Sequence, residues 1–290
     1  MVDDYLIRAT ALEGKVRVFA VLTTKLIEEL RTRHEAYPTA TAALGRAASI
    51  GAMMGAMLKG EERLTLQIKG NGPLGQIVVD ANAHGEVRGY MDHPQVDLEP
   101  NSIGKFDVAG AVGTEGFIYV IKDLGMREPY KGSVPIISGE LGEDFTHYFA
   151  KSEQTPSAVS VGVLINPDET VRASGGLIIQ LLPGIDEEQI AVLEDKLSAL
   201  PPLTTLLDEG LSLEDILHRL VKKVEVSDRL NIRFRCSCSR ERVEQMLISL
   251  GAEEIRELID KDEQTEVICH FCNEKYHFDR GEMEAILAKI

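Results

Sequence analysis

Cysteine is missing from the first 235 residues of this 290-residue chain, so no disulfide framework and no thiol chemistry can be built there. Positive charge is scarce as well: 31 Lys and Arg against 47 Asp and Glu give a formal net charge of -16. A general nucleic-acid or anionic-membrane surface needs clustered basic residues, and this composition disfavours both. The N-terminal Met-Val-Asp-Asp-Tyr carries two acids where a secretory signal carries basic residues and then an apolar run, which places the chain in the cytoplasm as an expectation. There is no uninterrupted apolar span. Residues 39–58 are rich in Ala, Gly and Met and contain Gly51-x-x-x-Gly55, but Arg46 sits among them, and a tightly packed helix in a soluble core fits better than a membrane helix. No G-x-S-x-G, H-E-x-x-H or P-loop occurs, and the seven histidines are scattered, so the long N-terminal part reads as a binding platform and the protein as no enzyme.

The four cysteines that are present lie together near the end. Cys236-Ser-Cys238 and Cys269-His-Phe-Cys272 are separated by thirty cysteine-free residues. A Cys-x-Cys pair and a Cys-x-x-Cys pair each hold two sulfurs in a tight turn, and together they supply the four thiolates of a tetrahedral zinc site. Set against two pairs of inert buried thiols, the spacing favours one zinc ion per chain with Cys236, Cys238, Cys269 and Cys272 as ligands. In a reducing cytoplasm, metal or redox chemistry suits these thiols better than structural disulfides.

Taken in order, residues 5–11 and 16–22 read as a strand hairpin turning at Glu13-Gly14-Lys15. Thr23 or Thr24 then caps a helix to His34, and Pro38 opens the Ala/Gly-rich helix. Residues 63–69, 75–80 and 86–91 alternate as an antiparallel meander. The turn Gly70-Asn-Gly72-Pro-Leu-Gly75 matches G-x-G-x-x-G, yet it leads into the strand-like Gln76-Ile-Val-Val rather than a helix, so it is a hairpin turn and not a dinucleotide loop. Strands follow at 116–122, 133–138, 158–165 and 173–181. A helix is expected over 142–150, with Glu140, Glu143 and Asp144 near its start, where the dipole favours acids.

At Pro183-Gly184 the pattern changes to short helices. Their apolar positions are Ile190, Leu193, Leu197 and Leu200, then Ile216, Leu217, Leu220 and Val221. Pro201-Pro202 and Gly210 interrupt the run, so no piece is long enough to stand alone and each must dock on something. The last segment holds helices at 241–250 and 253–260, a hairpin around Cys269-His-Phe-Cys272, and a final helix from Asp279 to Ile290. The fold class is α+β, divided as a mixed sheet-and-helix domain over 1–182, a helical linker over 183–230 and a small zinc-binding domain over 231–290. About sixty residues make a marginal core, so the metal should supply much of the last domain's stability. Arg233, Arg235, Arg240 and Lys275 lie beside the pairs in sequence and are expected to offset the sulfur charge. His270 and His277 are left to surface or hydrogen-bonding roles. Thiolates in an accessible site are open to peroxide or hypochlorous acid.

The chain also resembles the redox-regulated heat-shock holdase chaperones, the bacterial thirty-three-kilodalton chaperonin family. The residues that carry the resemblance are Tyr37-Pro-Thr-Ala-Thr-Ala-Ala-Leu-Gly-Arg-Ala, Lys69-Gly-Asn-Gly-Pro-Leu-Gly, Ser138-Gly-Glu-Leu-Gly-Glu-Asp-Phe-Thr, and the two cysteine pairs with Asn273-Glu-Lys-Tyr. The resemblance implies a reduced, zinc-bound, inactive state. It implies that oxidation pairs Cys236 with Cys238 and Cys269 with Cys272, releases zinc and unfolds the linker. It further implies that the activated homodimer captures unfolding proteins without ATP. The small ring closed by a Cys236–Cys238 bridge is strained and therefore readily reduced. Two other classes stay open on the residues alone: a thiol-disulfide oxidoreductase using Cys269 and Cys272, and a zinc-ribbon module for nucleic acid or a partner protein.

Overall fold

A computed structural model describes residues 2–221, 223–261 and 264–290, and its contacts divide the chain into two compact units, Met1–Arg235 and Cys236–Ile290. The first unit opens on the expected hairpin. Strands β1 (Tyr5–Ala11) and β2 (Val16–Leu22) pair antiparallel, and left-handed backbone at Leu12, Glu13 and Gly14 closes the turn.

Helix α1 (Thr24–His34) is preceded by Thr23, which makes no side-chain cap. The cap comes from elsewhere: the buried Asp4 carboxylate accepts the N–H groups of Lys25 and Leu26 at 3.2 and 2.7 Å. Freed from capping, the Thr23 hydroxyl joins a buried cluster with Ser49 at 2.8 Å and Ser174 at 2.9 Å. Helix α2 (Pro38–Gly55) begins on proline and is buried on nearly every side, as its small residues require. A Cβ on Gly51 would lie 2.6 Å from Val79 Cγ1, so only glycine lets this helix and the strand bearing Val79 approach so closely.

Strands β3 (Arg63–Gly70), β4 (Gln76–Asn82) and β5 (Glu86–Met91) form the meander, and the Gly70–Gly75 loop is the turn between the first two. The short helix α3 (Val108–Val112), which the sequence pattern did not announce, precedes β6 (Gly116–Asp123). Strand β7 covers Tyr130–Pro135 rather than 133–138. Helix α4 (Gly142–Lys151) follows. Asp144 does more there than complement a dipole: fully buried, its carboxylate accepts N–H groups from Ile137, Ser138 and Leu141 at 2.8, 2.9 and 3.1 Å. Glu140 pairs with Arg46 of α2, which explains how that helix carries a charge.

Strands β8 (Ser157–Ile165) and β9 (Val171–Leu181) lead to the helices α5 (Glu187–Ala199), α6 (Leu203–Asp208) and α7 (Leu213–Leu220). After them the chain returns as strand β10 (Glu225–Asn231) and the two-residue β11 (Arg233–Phe234). One sheet has the order β10-β1-β2-β9-β8 and the other β11-β5-β4-β3-β6-β7. The mixed α+β architecture read from the sequence is the one observed.

The first sheet is covered on both faces, because its strands alternate. Leu6, Phe19, Val21 and Ile178 point into the core with α1 and α2. Tyr5, Ile7, Val18, Leu177 and Ile179 point the other way, where Leu193, Leu213, Leu217, Leu220 and Val221 pack on them. The short helices therefore do dock. They do so unequally: α7 buries Leu213, Ile216, Leu217 and Leu220, whereas the thirteen residues of α5 bury only Leu193, with Ile190, Leu197 and Leu200 partly open. One buried leucine contributes about 2 kcal/mol, a thin hold on a helix that long.

The second unit contains α8 (Arg240–Leu250), α9 (Ala252–Lys261), the hairpin β12 (Gln264–Ile268) with β13 (Lys275–Asp279), and α10 (Arg280–Leu287). Asp279 caps α10 as expected, through a reciprocal capping box with Glu282, although that helix ends three residues before the terminus. Val243, Leu247, Ile255, Ile259, Phe278, Met283 and Ile286 form its buried apolar cluster.

Candidate metal centre

Two tight turns present the sulfurs. Ser239 caps α8 by accepting the Arg242 N–H, and the Arg242 guanidinium donates to the Ser237 carbonyl and hydroxyl at 2.7 and 2.6 Å, which holds the Cys236-Ser-Cys238 turn against the helix start. At the tip of the β12–β13 hairpin, the Cys269 N–H donates to Glu274 and the Cys269 carbonyl accepts from Cys272 and Asn273. Asn273 takes a left-handed conformation, φ 56, which asparagine tolerates well, and so lets the chain turn back into β13.

The turns bring all four sulfurs within 4.8 Å of one another. Cys236 Sγ faces Cys269 Sγ at 3.7 Å, and Cys238 Sγ faces Cys272 Sγ at 3.3 Å. Metal–sulfur bonds of about 2.3 Å imply tetrahedron edges of about 3.8 Å, so the arrangement has the size of a four-thiolate site. Among the described residues it is one group of metal-capable side chains, and these four cysteines could hold a metal ion. No histidine belongs to it: His270 and His277 are exposed, and His277 lies 3.6 Å from Glu266.

Burial pushes the Cys269 and Cys272 thiols up, against the pull of backbone N–H groups from Phe271 and Cys272 on the first sulfur and from Glu274 on the second. A metal bound among them would deprotonate them outright. The basic residues expected to offset the sulfur charge also form ion pairs. Arg233 and Arg235 both reach Glu86, Arg240 pairs with Glu282 at 2.7 Å and stacks over Phe278 at 4.3 Å, and Lys275 meets Glu266 at 3.5 Å. Each of these side chains thus has a carboxylate partner.

Two residues that touch the site were missed. Arg242 holds the first turn, as described. Tyr276 donates its hydroxyl to Cys238 Sγ at 3.2 Å, and this bond, with burial, pushes the phenol up. Strand alternation was the available signal, since Tyr276 and Phe278 share a face of β13 while Lys275 and His277 are exposed.

Comparison with known proteins agrees over nearly the full length. The Hsp33 protein family matches residues 4–279. A 33 kDa chaperonin of Bacillus cereus (strain B4264) is 52% identical over 289 residues, covering 99% of each chain. One from Bacillus anthracis (strain CDC 684 / NRRL 3495) is 51% identical over 289 residues, again covering 99% of each. The crystal structure of a 33 kDa chaperonin, a heat shock protein 33 homolog from Thermotoga maritima, matches with a TM-score of 0.93 at 36% identity, covering 99% of both chains.

Proposed function

This chain belongs to the Hsp33 family, a family of chaperones and not of enzymes, and from that premise we propose that it is an oxidation-activated holdase that binds unfolding proteins without ATP. The observation that carries the reading is the meeting of four sulfurs within 4.8 Å in a unit whose buried apolar cluster, among the described residues, has seven members. A core that small relies on its metal.

The ion is zinc, one per chain, held by Cys236, Cys238, Cys269 and Cys272. Zinc, when bound, would supply the charge that keeps all four sulfurs as thiolates. Oxidation removes those ligands. One thiolate of a pair attacks a peroxide oxygen, the O–O bond breaks, hydroxide leaves and a sulfenic acid forms. The second thiolate displaces the sulfenic oxygen as another hydroxide and closes the S–S bond. Each pair thus gives two electrons to one peroxide, and two protons from solvent turn both hydroxides into water. Cys236 would pair with Cys238 and Cys269 with Cys272, and none of the four sulfurs would then be a thiolate free to ligate the ion.

The small unit then loses its organiser, and the linker helices α5 to α7 come off the sheet. Ile7, Val18, Leu177 and Ile179, which the linker helices cover at rest, become available to apolar surfaces of a client. Residues 1–182 carry client binding and dimerisation, and the activated form is a cytoplasmic homodimer. Among the described residues no helix is long and apolar enough to cross a membrane.

An oxidoreductase reading fares worse, because Cys269 and Cys272 sit in the turn between two strands, whereas the thioredoxin type opens a helix with its Cys-x-x-Cys. Suppression of aggregation of a heat-unfolded client, with zinc followed by a chelating dye before and after peroxide, tests the proposal. Activity should appear together with zinc release. Equal activity of both forms, or activation with zinc retained, would overturn it.

A further inference from the structure

The donors that reach the sulfurs are of two kinds. At Cys269 and Cys272 they include main-chain N–H groups fixed by the hairpin turn. At Cys238 the donor is a side chain, the Tyr276 hydroxyl, at 3.2 Å. Tyr276 stands opposite Val267 across the hairpin, is half-buried, and packs against the cluster that includes Phe278 and Met283. Its ring is therefore held in place. From the strand that follows one cysteine pair, it reaches a sulfur of the other.

We infer that Tyr276 is a positioning residue of the four-sulfur site: its O–H···S bond steadies the Cys238 thiolate, strengthens metal retention and slows attack of that sulfur on peroxide. The inference rests on the metal and redox reading above and adds to it the residue that sets how readily the Cys236–Cys238 pair responds. A hydroxyl donated to a thiolate takes up part of its charge and occupies a lone pair needed for nucleophilic attack. Groups in this outer position around metal ligands change affinity by about 10–100-fold when removed. The redox step is the one already balanced: two thiolates, one peroxide and two protons give one disulfide and two waters.

Tyr276→Phe keeps the ring and deletes only the donor. Three quantities are measured on the full chain: zinc retention against a chromophoric chelator, the rate of peroxide oxidation at Cys236 and Cys238 mapped by mass spectrometry, and the sulfur-to-metal charge-transfer band of the cobalt(II)-substituted protein. The variant should hold zinc about tenfold less tightly, oxidise at this pair several-fold faster, and show a shifted cobalt band, while α8 and α10 keep their hydrogen-exchange protection in the zinc-loaded state. A band at the wild-type position, with retention and rate within twofold, overturns the assignment. The cobalt band and zinc retention are read without oxidant, so they judge Tyr276 even if peroxide leaves the wild-type metal in place. That last result would overturn the redox reading and, with it, the rate claim.

Discussion

The Tyr5 hydroxyl accepts the backbone N–H of Leu213 at 3.2 Å, which ties the first strand of the sheet to the first turn of α7. The same hydroxyl donates to Glu214 at 3.0 Å, and the Arg229 guanidinium lies 3.8 Å above the ring. One side chain on β1 thus joins α7 and β10 to the sheet.

Replacing Tyr5 with Phe leaves the ring in place and strands the buried Leu213 N–H, at a cost of about 1–3 kcal/mol. The expected result is faster hydrogen exchange across α7 in the reduced protein, and a lower peroxide concentration for half-maximal client binding. Unchanged protection over residues 213–220 would show that apolar packing alone holds this helix.

Asp4 gives a pH dependence of defined sign. Burial pushes its carboxyl up from 3.8 to about 6, more than the N–H groups of Leu26 and Lys25 pull it down. The unfolded chain releases this proton near pH 4, the folded chain holds it until about 6. The stabilising contribution of the proton is thus complete below about pH 4 and is lost as pH rises to about 6, an effect on the order of 2–3 kcal/mol. Unfolding free energies of wild type minus Asp4→Asn should fall across that window and stay level above it. A difference that is flat from pH 4 to 7 contradicts the assignment.

Removing the metal under reducing conditions separates the two units. With a strong chelator present, α8, α9 and α10 should lose their exchange protection, while α1, α2 and the central strands keep theirs, because the first unit has a large apolar core of its own. Protection of α8 and α10 that survives complete zinc removal would mean that the seven-residue cluster suffices for folding.

Much of this was legible in the sequence where a local rule decides the outcome. Small residues over 39–58 announce a buried helix, alternation announces β3, β4 and β5, and two short cysteine spacings announce a site. What was not legible depends on partners distant in the chain. Asp4 caps α1 from about twenty residues away, so Thr23 or Thr24 looked like the cap. Strand β10 reads Glu-Val-Ser-Asp-Arg-Leu-Asn, with little apolar alternation and mostly exposed side chains. It is a strand because β1 offers it an edge, with Tyr5 opposite Asn231 and Leu6 opposite Leu230. Its continuation is admitted by a glycine: Gly85 has φ +75, and a Cβ there would lie 2.2 Å from the Asn231 carbonyl. Nor did the sequence show that Arg233 and Arg235 share a partner in Glu86, far away along the chain.

The central claim is that four sulfurs hold together both the small unit and the cover over the sheet. Hydrogen exchange of residues 185–290, compared between the reduced zinc-bound and the peroxide-oxidised protein, tests it most directly. The account predicts that α8 to α10 and α5 to α7 lose protection together on oxidation while β2 and β9 remain protected. Oxidation that exposes the C-terminal helices but leaves α5 to α7 protected, in a protein that nonetheless captures clients, would contradict it.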